Sequence, residues 1–421
     1  MRCSLDARAP LATLPPHHTM LPLEIQLSIL DEFEGQTIEL RELCCVCLAW
    51  AEYAQAMLFR SIGVRSDSED RKRFLAVLNT ERNIGRHVMA LRLNGSGYCN
   101  PTLDELDHTL IEQLPGVRTL DLVYKHLRAT SGPGALQPST KWAAISRLHL
   151  RHCCFGNVDA LIALVAAFPR LESLDIAMDG DLECPDSHFT PTEPPAQPRS
   201  SIRMPAWHLK YLALARHFRL DEFVDWMAAE PATLVVDHLR IVYIGYDASV
   251  FNALLRRIGR RLRHLDLPDM SRRGSDWPDV PLLIRPCTAL TALTFSARGP
   301  IDPRPDILSV LAQVASAPPS ITTVSFHVIP GWLGKDFPWE EVDARLTANA
   351  FALLHHVEFQ IVQQWSHFPP PAMDMTYQLY VRYMVDRMVL LKARGLLRFI
   401  DVREDSDQRE LVLPWRATNT T

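Results

Sequence analysis

The chain has 421 residues, of which 47% are hydrophobic and 22% charged, and its formal net charge is −5. These globular proportions exclude global disorder. The acidic balance leaves no basic footprint, so nucleic acid is not expected as the main partner, and no apolar run reaches the roughly 18 residues of a membrane span, so no membrane is expected either.

Residues 1–18 contain prolines and histidines and read as a loose tail. They have one early arginine but no continuous apolar stretch, so no signal peptide is expected. The first organised segment, residues 21–62, opens with Leu21-Pro22, which suits the first position of a helix. Along that helix Leu23, Leu27 and Leu30 form one stripe and Ile25, Ile29 and Phe33 another, roughly 120° away at 100° per residue. One stripe suffices for a core, so the second is expected to meet a partner. Gly35 suits the end of this helix, and Thr37 and Glu39 suit the start of the next. Leu40, Leu43, Cys47, Trp50, Ala54 and Met57 then follow a helical spacing, which predicts one continuous second helix with Cys47 in its buried seam.

Three blocks in this segment resemble an F-box. They are Leu21-Pro22-x-Glu24-Ile25-x-x-x-Ile29, then Leu43-x-x-Val46-Cys47-x-x-Trp50, then Leu58-Phe59-Arg60-Ser61-Ile62. Downstream, Arg73-Phe74-Leu75, Leu78, Ile84-Gly85 and Val88-x-x-Leu91-x-Leu93 are similar to the continuation seen in fungal F-box proteins. Phe33, where leucine is usual, and Cys44-Cys45 depart from the pattern. The resemblance implies a short helical domain, residues 19–62, that docks a Skp-type adaptor and through it a cullin–RING ubiquitin ligase. It also implies a docking surface drawn from Leu21, Pro22, Leu23, Ile25, Ile29, Leu43, Val46, Trp50, Leu58 and Phe59.

Residues 63–86 read as a linker with a helix at 66–83. From there a pattern recurs: apolar, two variable residues, apolar, one variable residue, apolar. It runs from Val88/Leu91/Leu93 through Val117/Leu120/Leu122, Ile145/Leu148/Leu150, Leu171/Leu174/Ile176 and Leu209/Leu212/Leu214. It continues at Leu239/Val242/Ile244, Leu262/Leu265/Leu267, Leu290/Leu293/Phe295, Ile321/Val324/Phe326 and Leu354/Val357/Phe359, and Leu397/Ile400/Val402 reads as a last copy. Helical patterns alternate with these strands, at 103–114, 158–168, 218–227, 250–258, 307–314 and 342–354. One strand and one helix per unit resembles a leucine-rich repeat. Cys153 stands where regular repeats carry an asparagine. The expected fold class is α/β: an N-terminal helical domain, then an irregular solenoid over residues 87–405, with parallel strands on the concave face and helices on the convex face. A proline-rich loop is expected at 179–205, a further loop at 125–142, a long capping helix at 375–394 and a loose tail at 406–421.

The chemistry-bearing residues do not assemble into a catalytic pattern. No phosphate-binding loop, nucleophile elbow or zinc-helix spacing occurs. Gly95-Ser96-Gly97 follows a strand but opens no helix, which leaves an esterase built on Ser96 a remote reading. His152-Cys153-Cys154 has no second pair at ligand spacing, and alternation sends His355 and His356 to opposite faces. Nine cysteines, an odd number and partly adjacent, do not suit a disulfide framework, so a reducing cytoplasmic or nuclear setting is expected. No metal or cofactor is expected, and no enzyme. The two remaining functions are a ubiquitin-ligase substrate receptor and a repeat scaffold outside the ubiquitin pathway.

Between the last two apolar positions of each copy stands one residue that points away from the core: Arg92, Asp121, His149, Asp175, Ala213, Tyr243, Asp266, Thr294, Ser325 and Glu358. Asp121, His149, Asp175, Tyr243 and Asp266 are the candidate contacts to a target protein, with a basic segment as the expected ligand.

Overall fold

A strand of five residues with two apolar side chains on one face cannot bury them alone, and a parallel neighbour can be reached only through a crossover. The chain meets both needs by repetition. A computed structural model describes residues 22–33, 36–65, 69–80, 84–95, 105–124, 126–127, 142–155, 158–177, 205–214, 220–229, 234–241, 248–269, 282–297, 304–316, 320–328, 337–363 and 377–403. Leu21, Ser96, Tyr243, the tails and nearly all of the expected proline-rich loop lie outside them.

Three helices come first: α1 (Leu23–Asp31), α2 (Thr37–Leu43) and α3 (Leu48–Leu58). Strands β1 (Ser61–Arg65), β2 (Ala90–Asn94) and β3 (Thr119–Val123) follow, with helices α4 (Glu69–Thr80) and α5 (Glu105–Gln113) between them. Next come β4 (His126–Leu127), β5 (Arg147–Arg151), β6 (Cys154–Phe155), α6 (Val158–Ala166) and β7 (Ser173–Ala177). The middle contains β8 (Trp207–Leu209), β9 (Tyr211–Leu214), α7 (Leu220–Ala229), β10 (Leu234–Val236), β11 (His238–Ile241), α8 (Ala248–Ile258) and β12 (His264–Asp269). The last part runs through β13 (Ala292–Ala297), α9 (Arg304–Ala315), β14 (Thr323–Val328), α10 (Trp339–Leu346) and β15 (His356–Gln363). It ends with α11 (Tyr377–Arg387), α12 (Val389–Ala393) and β16 (Leu397–Arg403). Twelve of the strands form one sheet in chain order, β1-β2-β3-β5-β7-β9-β11-β12-β13-β14-β15-β16, and every pairing in it is parallel. The chain is an α/β protein of leucine-rich-repeat-like architecture, with alternating helices behind the sheet.

The register explains the sequence pattern. Leu91, Leu120, Leu148, Leu174, Leu212, Leu239, Leu265, Leu293, Val324, Val357 and Leu397 form one row of partners across the strands. Leu93, Leu122, Leu150, Ile176, Leu214, Ile241, Leu267, Phe295, Phe326, Phe359 and Phe399 form a second row two residues on. Both rows belong to the main core or pack against it, together with Leu110, Leu161, Phe223, Leu254 and Leu311 from the helices. The helices therefore cover one face and leave the other open. Across the last four strands the second row is aromatic. Phe295, Phe326, Phe359 and Phe399 stack with centroids 5.3, 5.1 and 5.3 Å apart, a spacing set by neighbouring strands about 4.8 Å apart.

Strand starts are locked by a recurring backbone device. Two consecutive N–H groups donate to one carbonyl of the preceding repeat: Met89 and Ala90 to Arg60, Arg118 and Thr119 to Met89, Ser146 and Arg147 to Arg118. The device recurs on Ser146, Glu172, Asp237, Arg263 and Thr291. Side chains also bond the backbone of neighbouring repeats. Cys153, in the asparagine position, is buried with its thiol 3.2 Å from the Leu122 carbonyl. Asn252 accepts from the Leu283 N–H at 2.7 Å, and Gln313 both accepts from Ile284 and donates to the Leu282 carbonyl. These amides pin the segment before β13, where the described residues contain no helix.

Several expectations are corrected. The second N-terminal helix is broken at residues 44–46, and Cys47 is not in a buried seam but exposed, ahead of α3. Ser61 and Ile62 do not close a separate helical unit but begin β1, the first strand of the sheet. The long helix expected at 375–394 is divided at Met388, whose φ of −102° and ψ of 59° leave the helical region. Two repeat copies are displaced by three residues. Val236, Leu239 and Ile241 form the buried set of this copy, Val242 and Ile244 lie outside the described residues, and Leu397 and Phe399 hold the rows in the last strand, where Ile400 is exposed.

Because Phe326 is fully buried between two stacked neighbours, Phe326→Ala should lower unfolding free energy by about 3–5 kcal/mol. Phe399→Ala, with only Phe359 in its stack, should cost clearly less. Urea denaturation of both variants measures the difference, and equal losses would contradict the ladder.

Candidate functional site

Two surfaces stand out, one at each level of the fold. The first is the outside of α1–α3. Leu30, Leu40 and Ala54 are buried there but lie outside the main core, so these helices have a small core of their own. Trp50 Nε1 donates to Gln26 Oε1 at 2.6 Å and Tyr53 donates to Asp31 at 2.7 Å, joining α3 to α1. With Leu27 and Leu30 turned inward, the second stripe of α1 faces out: Ile25 is 49% exposed, and Ile29 is exposed as well. Ile38 is 67%, Val46 60% and Leu48 80% exposed. Five of the thirteen large exposed apolar side chains among the described residues thus fall between positions 25 and 48. Scattered apolar exposure is ordinary, and this stretch is denser in it than the rest of the described chain.

Of the residues singled out by sequence, Pro22, Ile25, Ile29 and Val46 are exposed, while Leu43, Trp50, Leu58 and Phe59 are half-buried. Leu23 begins α1, but its side chain is not among those described. Ile38 and Leu48 were not singled out. Leu48 lies well off the Leu40–Met57 seam even in one continuous helix at 100° per residue, so its outward placement was open to sequence reading.

The second surface is the open face of the sheet. Its central row reads Arg92, Asp121, His149, Asp175, Ala213, Arg240, Asp266, Thr294, Ser325, Glu358 and Arg398, each paired with the next. Arg240 occupies the place expected for Tyr243. The shift follows from the displaced repeat copy: β11 begins at His238, so its outward residue between two buried neighbours is 240.

The acids of this row are already engaged. Arg92 Nε donates to Asp121 at 2.7 Å, and Arg151 lies 3.7 Å from its other oxygen. Asp175 faces His149 Nδ1 at 3.5 Å, and Asp266 faces His238 Nε2 at 2.9 Å. Asp121 is 6% and Asp175 3% exposed. Ala213 leaves a notch between Asp175 and Arg240, so Arg240 feels Asp175 on one side and Asp266 on the other while hydrogen-bonding Tyr211. Burial works against the charge of Arg240, yet Tyr211, Asp266 and Asp175 together hold its pKa above the ordinary value. Burial first, then the Asp175 charge, pushes Tyr211 up to about 12. Burial also raises Asp266, but hydrogen bonds from His238 and Thr294 and the Arg240 charge outweigh it and leave its carboxyl below the usual range. Beside this cluster run three rings on consecutive strands: Tyr211 meets His238 edge-on at 4.9 Å, and His238 meets His264 at 5.5 Å. Burial, then the neighbouring His238, lowers the pKa of His264.

Among the described residues no group of three or more His, Cys, Asp or Glu could hold a metal ion, and no helix is long and apolar enough to cross a membrane. Neither a scan against protein-family models nor a search of curated proteins finds a match for this chain.

The lowered pKa of His264 has a sign. Below about pH 6.5 the unfolded chain protonates this histidine while the folded chain resists, so the unfolded state binds more protons and stability falls on acidification. His264→Gln should therefore narrow the drop in urea midpoint between about pH 7.5 and about pH 5.5. Some drop persists, because His87 and His356 are lowered in the same direction, chiefly by burial. An unchanged drop would contradict the assignment.

Proposed function

We propose that this chain is a substrate receptor of an SCF-type cullin–RING ubiquitin ligase, with an F-box in its first helices and a target-binding repeat domain behind it. The observation that carries the reading is the row of exposed apolar side chains on α1–α3, at Ile25, Ile29, Ile38, Val46 and Leu48. The F-box resemblance falls on the same helices, and a Skp-type adaptor is the partner that would cover them. In this reading the chain performs no bond chemistry. It holds a target near a ubiquitin-transferring partner, and it needs neither metal nor cofactor.

The target surface in this reading is the open face from β2 to β12. Buried Asp121 and Asp175 and half-buried Asp266 pair with Arg92, His149, Arg240 and His238, so they do not form a free acidic strip for a basic peptide. Contact with the target falls to groups nearer solvent, Arg92 and His264 among them.

Ile25→Asp/Ile29→Asp/Leu48→Asp places charges on exposed positions and should leave the circular dichroism spectrum unchanged. Calorimetric titration with purified Skp-type adaptor should show a loss of at least about 2 kcal/mol in binding, near thirtyfold in affinity. Equal affinity of variant and wild type would sink the proposal, and a wild-type chain that ignores the adaptor would favour the scaffold outside the ubiquitin pathway.

A further inference from the structure

Helix α8 buries Phe251, Leu254, Leu255 and Ile258, and the helical period then sends Arg256 and Arg257 to the outside. The helix ends at Ile258, and the backbone turns tightly at Gly259, where a Cβ would stand 2.4 Å from the Leu255 carbonyl oxygen and 2.8 Å from that of Pro286. Arg260, Arg261 and Arg263 follow, all exposed, with only Leu262 between them returning to the core. Arg285, next to Pro286 and also exposed, is brought to the same turn by that close backbone approach. None of these six arginines forms an ion pair with a described residue. Arg256 and Arg257 lie in the last turn of α8 and complement its negative end. That accounts for two of the six, and the other four have no ion-pair partner among the described residues.

We infer that this arginine cluster is a docking site for a short acidic segment of a partner protein, one carrying carboxylate or phosphate side chains. Guanidinium groups present a planar fork that matches either anion, and the eight residues from 256 to 263 contain five of them and no lysine. Five of the six lie within eight consecutive residues around the turn after α8, a compact footprint that suits a short peptide segment. A nucleic acid fits less well. Residues 248–269 and 282–290 expose no Phe, Tyr or Trp on which a base could stack. The net charge of −5 also repels a long polyanion, or an anionic membrane, more than a short peptide. The inference is independent of the adaptor reading, because it rests on α8 and the turn after it.

The test uses the full chain, fluorescence anisotropy and three labelled peptides: one of alternating aspartate and glutamate, one with phosphoserine in their place, and a neutral asparagine–glutamine control. Wild type should bind at least one acidic peptide saturably, more weakly as salt rises, and should ignore the control. Arg256→Glu/Arg257→Glu/Arg260→Glu should weaken that binding by at least about tenfold with an unchanged circular dichroism spectrum. The matching lysine variant keeps the charge and should lose less, because only the fork is removed. Which acidic peptide binds more tightly tells carboxylate from phosphate recognition. Absence of saturable binding to both acidic peptides, or equal affinity of wild type and the glutamate variant, overturns the proposal. So does tighter binding of duplex RNA or phosphatidylserine vesicles than of either peptide, since the cluster then serves a different class of partner.

Discussion

Parallel strands must start level with one another, and in this protein that requirement governs almost everything else. A strand that slipped by one residue would turn both buried rows to solvent and the charged row to the core. The recurring pair of N–H groups that share one carbonyl of the previous repeat sets the starting point of eight strand junctions directly. Cys153, Asn252 and Gln313 add side-chain hydrogen bonds to backbone groups of neighbouring repeats. Once starts are level, side chains of one kind come to lie above one another, which produces the stacked phenylalanines on the covered face.

The same alignment has an electrostatic consequence on the open face. Residues in register across strands lie close enough to interact, so a row of like charges would repel along its length. The row instead alternates, with Arg92 against Asp121, His149 against Asp175 and Arg240 against Asp266, and Ala213 where a long side chain would block Arg240 from Asp175. A face that neutralises itself is selective about what it binds. It offers fixed, oriented groups rather than net attraction. The arginines at and after α8, which have no ion-pair partner among the described residues, are the contrasting surface.

Much of this was legible in the sequence, and the failures have physical causes. The apolar triplets gave the repeat, the strand direction and the helix positions, because each unit repeats one burial pattern. The copy at Leu239 was misread because Val242 and Ile244 repeat, three residues on, the apolar spacing of Leu239 and Ile241. Starting that copy at Val236 gives steps of 27 and 26 residues from its neighbours at Leu209 and Leu262, more even than the 30 and 23 of the misreading. The Tyr243 assignment fell with it. Ion pairing along the row was not legible at all, because it depends on strand neighbours some 26–29 residues apart. The arginine cluster was in plain view, but the overall charge of −5 concealed it: a sum over the chain says nothing about a run of eight residues.

One consequence of the strand order concerns how the chain finds its fold. Every strand of the large sheet pairs with the strands that precede and follow it in that sheet, with no return crossing. Each pairing therefore closes a loop of only one repeat, and the entropy of closing it does not grow with the number of repeats already assembled. A sheet of twelve strands would ordinarily demand slow, distant encounters. Here the search is local at every step, and a nucleus formed anywhere along the solenoid can extend in both directions by adding one neighbour at a time.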